Sequence, residues 1–206
     1  KKKGHGVVNL KSAMKQSCDT YFYEIARRLG VDRLKKTSVK FGLGKKVLDK
    51  TFSIEKKGLI PDTEWKKNIL GKGWVIGETL ITGIGQGYTQ TTPLQLCQMT
   101  AQLANGGFKI YPKIIVEENA KTAEDIKSIM NKNAKNLDDK NNGLQEASEL
   151  FGFLDKIEHK RLFKNYKNIK LVLEAMFAST NEVRGTSYSS RIEDPKYQFA
   201  GKTGTS

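Results

Sequence analysis

Tyr197-Gln198-Phe199-Ala200-Gly201-Lys202-Thr203-Gly204-Thr205-Ser206 is the stretch on which the fold turns. Its first four residues predict a short strand, and that strand runs straight into a polar tripeptide. A cation, a hydroxyl and a glycine at a strand edge make an anion-binding face. Lys202 supplies charge, Thr203 a short donor, and Gly204 lets a ligand approach the backbone. Alone, the tripeptide Lys202-Thr203-Gly204 serves equally as a strand-to-turn segment, so its meaning depends on what the rest of the chain offers.

Working outward, Asn168 caps an amphipathic helix with Ile169, Val172, Leu173, Met176 and Phe177 on one side. Phe108 to Val116 alternates like a strand, with Pro112 placing it at an edge or a break. Before it, Thr92-Pro93-Leu94-Gln95 carries a Thr cap, a Pro at the first helical position and a Gln three residues on. Leu96, Thr100, Leu103 and Ala104 give that helix its expected buried face. Residues 45–73 are irregular and basic, with Pro61-Asp62-Thr63 as a turn and Trp65 and Trp74 as isolated aromatics, so they form a surface excursion.

The first 45 residues are helical with one polar break. Asn9 caps a helix through Gln16, Ser17-Cys18-Asp19 interrupts, and a second helix from Tyr21 carries Phe22, Ile25, Ala26 and Leu29 on one face. Gly30 ends it, Asp32 caps a third, and Gly42-Leu43-Gly44 stops that one. Helices followed by strand-like pieces around further helices make a mixed α+β domain. One domain fills residues 1–206, cut at both ends, and about 117–165 form a surface insertion rich in Lys and Asn.

Lys and Arg number 36 against 22 Asp and Glu, a formal charge of +14. Such a surface attracts nucleic acid, anionic lipid or acidic polymers, and charge alone does not choose. Lysines recur in almost every stretch, without the aromatic interleaving of a nucleic-acid reader, so no nucleic-acid partner is expected. Cys18 and Cys97 are too few for a disulfide framework. No apolar run approaches the roughly 20 residues that span a bilayer.

Ser17-Cys18-Asp19 sits where two helices meet, so its hydroxyl and carboxylate are free to face a cleft; the plainer reading is a helix cap. Gly83-Ile84-Gly85-Gln86-Gly87 lacks the spacing and the strand-loop-helix setting of a nucleotide loop, so it predicts close packing beneath a site. Four segments then occur in a telling order: Gly4-His5-Gly6-Val7-Val8-Asn9-Leu10, Ser17-Cys18-Asp19-Thr20-Tyr21-Phe22-Tyr23, Gly83 to Tyr88 with Thr92-Pro93-Leu94-Gln95, and Gly201 to Ser206. Together they resemble the penicillin-binding protein 2 family, the class B transpeptidases of bacterial cell elongation.

The resemblance implies a penicillin-binding protein and serine β-lactamase-like fold, a helical subdomain plus part of an antiparallel sheet flanked by helices. It implies acyl transfer through an acyl-serine, from stem peptides ending in D-Ala-D-Ala to a neighbouring amine, with β-lactams binding the same site. Ser17, Asp19 and Lys202 would form the proton relay; Thr203 and Gly204 would receive the substrate carboxylate, and the Thr205 amide would supply half of the oxyanion hole. The family's Ser-x-x-Lys nucleophile would precede Lys1, because Ser12-Ala13-Met14-Lys15 fits the pattern but lies only five residues before Ser17. The chain alone is then expected to be inactive.

No cofactor is required for that chemistry, while His5 and Cys18 would be half of a structural zinc site. Implied partners are elongation-complex membrane proteins, including a glycosyltransferase, and the implied location is the inner membrane with the catalytic domain in the periplasm. Arg184-Gly185-Thr186 departs from the Gly-Gly-Thr of the family and puts the shape of that loop in question. Two other readings remain open, a β-lactam sensor and a basic module that binds nucleic acid or membrane.

Overall fold

The computed structural model describes residues 4–48, 54–112 and 160–204. Among them run α1 (Leu10–Lys15), α2 (Asp19–Leu29), α3 (Val31–Lys40), α4 (Thr63–Leu70), α5 (Ile76–Thr82), α6 (Pro93–Ala104) and α7 (Lys167–Asn181). The Lys- and Asn-rich insertion lies outside the described residues up to 159.

The element that organises the site is the contact of α1 with α7. It is built from small residues, Ala13 on α1 and Ala175 and Ala178 on α7, each 0% exposed. Small side chains let two helix backbones approach closely, and the ends of both helices are thereby fixed together. Lys11 and Lys15 clamp the same joint by donating to the two carboxylate oxygens of Glu182, at 2.9 and 2.7 Å. Both ammonium groups hold the Glu182 carboxyl below its ordinary range.

Capping follows the sequence in places and departs from it in others. The Asn9 side chain accepts from the Ser12 amide, and Gly30 closes α2 with φ 78°. Asp32 does not cap α3; its carboxylate takes the Thr63 amide and hydroxyl instead, at 3.1 and 3.0 Å, tying α3 to the start of α4. The α7 cap is Tyr166 rather than Asn168, and Phe177, expected inside, is 41% exposed.

Residues 45–73 are not a plain surface excursion. They contain α4, started by the Asp62 side chain accepting from the Trp65 amide, and Pro61 and Lys66 are buried. The two tryptophans are engaged: Trp65 packs on Tyr88 with centroids 5.2 Å apart, and Trp74 donates to the Thr79 hydroxyl at 2.8 Å.

The capping box at Thr92 and Gln95 forms as read, yet α6 turns its other face inward. Gln95, Gln98 and Gln102 are buried, whereas Leu96 is 44% exposed. The glutamines bury because each ties down a backbone: Gln95 donates to the carbonyls of Lys45 and Lys57, Gln98 to that of Ile110, and Gln102 to that of Phe41. Burial of an amide is tolerable when both ends are paired, as at Gln95 and Gln102, while Gln98 pairs only its nitrogen and leaves Oε1 buried without a partner.

The expected sheet is not confirmed, and the expected strand at 108–116 lies outside the described residues from 113 on. Among the described residues there is no strand, only two antiparallel bridges, Leu59 with Gln90 and Phe108 with Arg161. Pro195–Tyr197 is a 3-10 turn, Gln198 leaves it with extended dihedrals, and residues 198–204 form no ladder. The reason lies in where their backbone groups go. Gly201 donates its amide to the Met176 carbonyl at 3.3 Å, and the Phe199 carbonyl accepts from the Asn181 side chain at 2.9 Å. This segment is moored to the last turns of α7, and an extended segment becomes a strand only when another backbone pairs with it.

The charge is also less evenly spread than the sequence implies. Lys40, Lys45, Lys46, Lys109, Lys160 and Arg161 share the lining of one cavity of about 490 Å³, with no Asp or Glu among its lining residues.

Candidate active site

Ser17 follows Gln16, the C-cap of α1, and its φ of 49° lies in the left-handed region. The local bonding explains why. The Ser17 amide donates to the Met14 carbonyl at 3.2 Å and the Cys18 amide to the Ala13 carbonyl at 2.9 Å. That paired pattern is a Schellman C-cap, whose left-handed position glycine usually fills. A serine there costs roughly 1–2 kcal/mol of backbone strain, and the strain is what lifts its hydroxyl off the helix.

The far end of the chain comes to meet it. Lys202 Nζ donates to Ser17 Oγ at 2.9 Å and to the Thr203 carbonyl at 2.7 Å. Thr203 Oγ1 lies 3.1 Å from Ser17 Oγ. Residues 185 positions apart in sequence thus share hydrogen bonds, made possible by the mooring of residues 199–201 on α7 and the clamping of α7 on α1.

These groups open onto a cavity of about 370 Å³ that is also lined by Met14, Asp19, Phe22, Ile84, Gln86 and Gly204. Gly83 forms its floor where α5 meets α2. A Cβ there would collide with that of Ala26, in keeping with close packing beneath the site. Burial pushes the Lys202 ammonium below the usual lysine value, and the Asp19 carboxylate pulls the other way. Asp19 acts at a distance: as the first residue of α2 it contributes charge, and no hydrogen bond joins it to Ser17 or Lys202.

Thr205 lies outside the described residues. Thr186 is the site residue that sequence reasoning missed. Its Oγ1 is within 3.2 Å of both Ser17 Oγ and Thr203 Oγ1 and 3.1 Å from Ser179 Oγ. The signal was present in Arg184-Gly185-Thr186, which the sequence reading treated as a matter of loop shape alone. Arg184 there takes φ 70°, and Gly185 packs so tightly on the Ser179 carbonyl that a side chain would not fit.

Model matching against known families assigns residues 1–206 to the penicillin binding protein transpeptidase domain. The chain belongs to that family. A peptidoglycan D,D-transpeptidase MrdA of Acinetobacter baumannii is 34% identical over 205 residues, which cover 100% of this chain and 26% of the relative. The chain therefore spans about a quarter of that relative's length. Among solved structures, Pseudomonas aeruginosa PBP2 in complex with WCK 5153 is 33% identical with a TM-score of 0.68, over 96% of this chain and 38% of that one. Helicobacter pylori PBP2 in complex with MreC is 28% identical with a TM-score of 0.73, over 100% of this chain and 32% of that one. The transpeptidase fold stands on these matches.

The zinc expectation fares differently. Among the described residues no three His, Cys, Asp or Glu side chains gather as a metal site. Cys18 is buried and its sulfur lies 3.4 Å from the Thr20 hydroxyl. A tetrahedral structural zinc needs four ligands, and His5 and Cys18 are only two, so the described residues alone do not complete one. No described helix is long and apolar enough to cross a membrane.

Proposed function

We propose that these residues form the relay and carboxylate-binding side of a peptidoglycan D,D-transpeptidase. The observation that carries the reading is the direct hydrogen bond from Lys202 to Ser17, with Thr203 beside both. A serine nucleophile gives up its hydroxyl proton and attacks the carbonyl of the penultimate D-Ala of a stem peptide, the D-Ala to D-Ala amide bond breaks, and the terminal D-Ala leaves with that proton delivered through Ser17. An amine of a neighbouring stem peptide then attacks the acyl-serine, forming the cross-link and returning the serine.

Lys202 holds Ser17 by its ammonium and attracts the substrate carboxylate, which Thr203 receives by its hydroxyl. Gly204 leaves room for that carboxylate, and the Thr205 amide donates to the developing oxyanion. The nucleophile is outside these 206 residues. The Ser12 to Lys15 pattern does not supply it, since the Lys15 ammonium is spent on Glu182. β-Lactams acylate the same serine, and the protein works from the inner membrane with this domain in the periplasm. A membrane partner of the MreC kind and a glycosyltransferase accompany it, and the chemistry uses no cofactor. A zinc on His5 and Cys18 would need two more donors and forms no part of this reading.

The test is acylation of the full-length protein by a fluorescent penicillin. Ser17→Ala and Lys202→Ala are each expected to slow labelling at least about 100-fold, the lower range for losing a positioned proton-transfer group. Wild-type labelling rates in both variants would overturn the proposal.

A further inference from the structure

We infer that Thr186 is a positioning residue that fixes the direction of the Ser17 hydroxyl. The inference rests on the transpeptidase reading and adds a residue to it. Four hydroxyls, those of Ser17, Thr186, Thr203 and Ser179, lie in one connected set, and each has a single proton to give. Lys202 donates to Ser17 Oγ, so the proton of Ser17 must point elsewhere. The bond of 3.2 Å from Ser17 Oγ to Thr186 Oγ1 supplies that direction.

With no substrate bound, Thr186 Oγ1 accepts from Thr203 as well, at 3.2 Å, which fills its two lone pairs; the Thr203 proton turns to the substrate carboxylate when that arrives. Its own proton then goes to Ser179 Oγ at 3.1 Å, and Ser179 is wholly buried. The order of donation therefore runs from Lys202 through Ser17 and Thr186 to Ser179. With its proton held by Thr186 and one lone pair held by Lys202, Ser17 keeps one lone pair for a proton arriving from the reaction. Without the Thr186 acceptor the proton loses this direction and can turn to Thr203 Oγ1, 3.1 Å away.

The backbone of Thr186 is anchored for this task from both helices. Its amide donates to the Lys15 carbonyl at the end of α1, and the next amide, of Ser187, donates to the Ser179 carbonyl in α7, each at 3.1 Å. The hydroxyl is thus carried at the joint of the same two helices that bring Ser17 and Lys202 together. Gly185 permits this approach, since no side chain fits against the Ser179 carbonyl.

The experiment compares Thr186→Val, Thr186→Ser and wild type in the full-length protein, measuring fluorescent-penicillin acylation as a rate constant and a half-saturating concentration. Valine keeps the shape and removes the acceptor. The acylation rate constant is expected to fall about tenfold, the scale of one lost hydrogen bond in a transition state, with half-saturation within twofold of wild type. Thr186→Ser restores the rate to within about twofold. On a Ser17→Ala background, Thr186→Val adds no further loss.

Three results overturn the inference: a wild-type rate in Thr186→Val, an equal loss in Thr186→Ser, or a full additional loss on the Ser17→Ala background. A simple packing defect would produce the last of these, with half-saturation rising as well. If Ser17→Ala itself labels like wild type, the transpeptidase reading has failed. If Ser17→Ala is impaired and Thr186→Val is not, only the role of Thr186 has.

Discussion

At the residue scale, the site concentrates its cost in Ser17. A non-glycine residue at a left-handed helix cap is strained, and the strain persists because the hydroxyl it presents bonds Lys202 and Thr186 and lies 3.1 Å from Thr203 Oγ1. Ser17→Gly should therefore stabilise the folded protein by about 0.5–1 kcal/mol in a denaturant titration while acylation falls as in Ser17→Ala. A destabilised glycine variant would contradict the assignment of strain. The charge of Asp19 gives a second prediction. Its carboxylate favours the Lys202 ammonium against burial, so Asp19→Asn lets Lys202 lose its proton at lower pH. The basic limb of the acylation-rate profile should then move to lower pH, and an unmoved limb would remove Asp19 from the electrostatics of the site. Ser17 and Lys202 were legible as types in a motif order; the bond between them was not, because spacing in sequence carries no distance in space.

At the scale of elements, what sequence patterning missed has one cause. Periodicity assigns apolar residues to the core, but loops without a ladder must find partners for their own backbone, and here the glutamines of α6 supply them. Gln102 donates to the Phe41 carbonyl and accepts from the Ile110 amide, both inside. Gln102→Leu leaves both groups unpaired and should cost about 2–4 kcal/mol in chemical denaturation, where a mere packing role would cost little for so similar a volume. The predicted terminal strand failed for the same reason seen from the other side, since residues 199–201 spend their groups on α7. The Thr92 to Gln95 capping box and the Gly30 stop were legible because those signals are local, whereas Asp32 and Asn168 were misread as caps and the bond from the Val75 amide to the Glu78 carboxylate, which starts α5, was not seen.

The Glu182 clamp between α1 and α7 titrates in a definite sense. Its carboxyl is held low by Lys15 and Lys11, so its stabilisation is present above the ordinary glutamate value and is lost as pH falls through the lowered one. Both partners are partly exposed, so Glu182→Gln should cost only about 0.5–1 kcal/mol at neutral pH. The gap to wild type should close in acid, and a gap that widened there would contradict the ion-pair account.

At the scale of the whole molecule, the account makes one claim: the two ends of the described chain are wound together so that a strained serine and a moored lysine face one cavity. The order of four motifs was enough to place the chain in its family, since joint occurrence is improbable where each motif alone is common. It did not reveal Thr186 or the basic cavity, because both arise only when distant segments meet. The most direct measurement is a crystal structure of the full-length protein acylated by a penicillin. The account predicts the adduct in the cavity of Ser17 and Lys202, its carboxylate within hydrogen-bond distance of the Thr203 hydroxyl. An acylated serine whose adduct lies away from Ser17, Lys202 and Thr203 would contradict it.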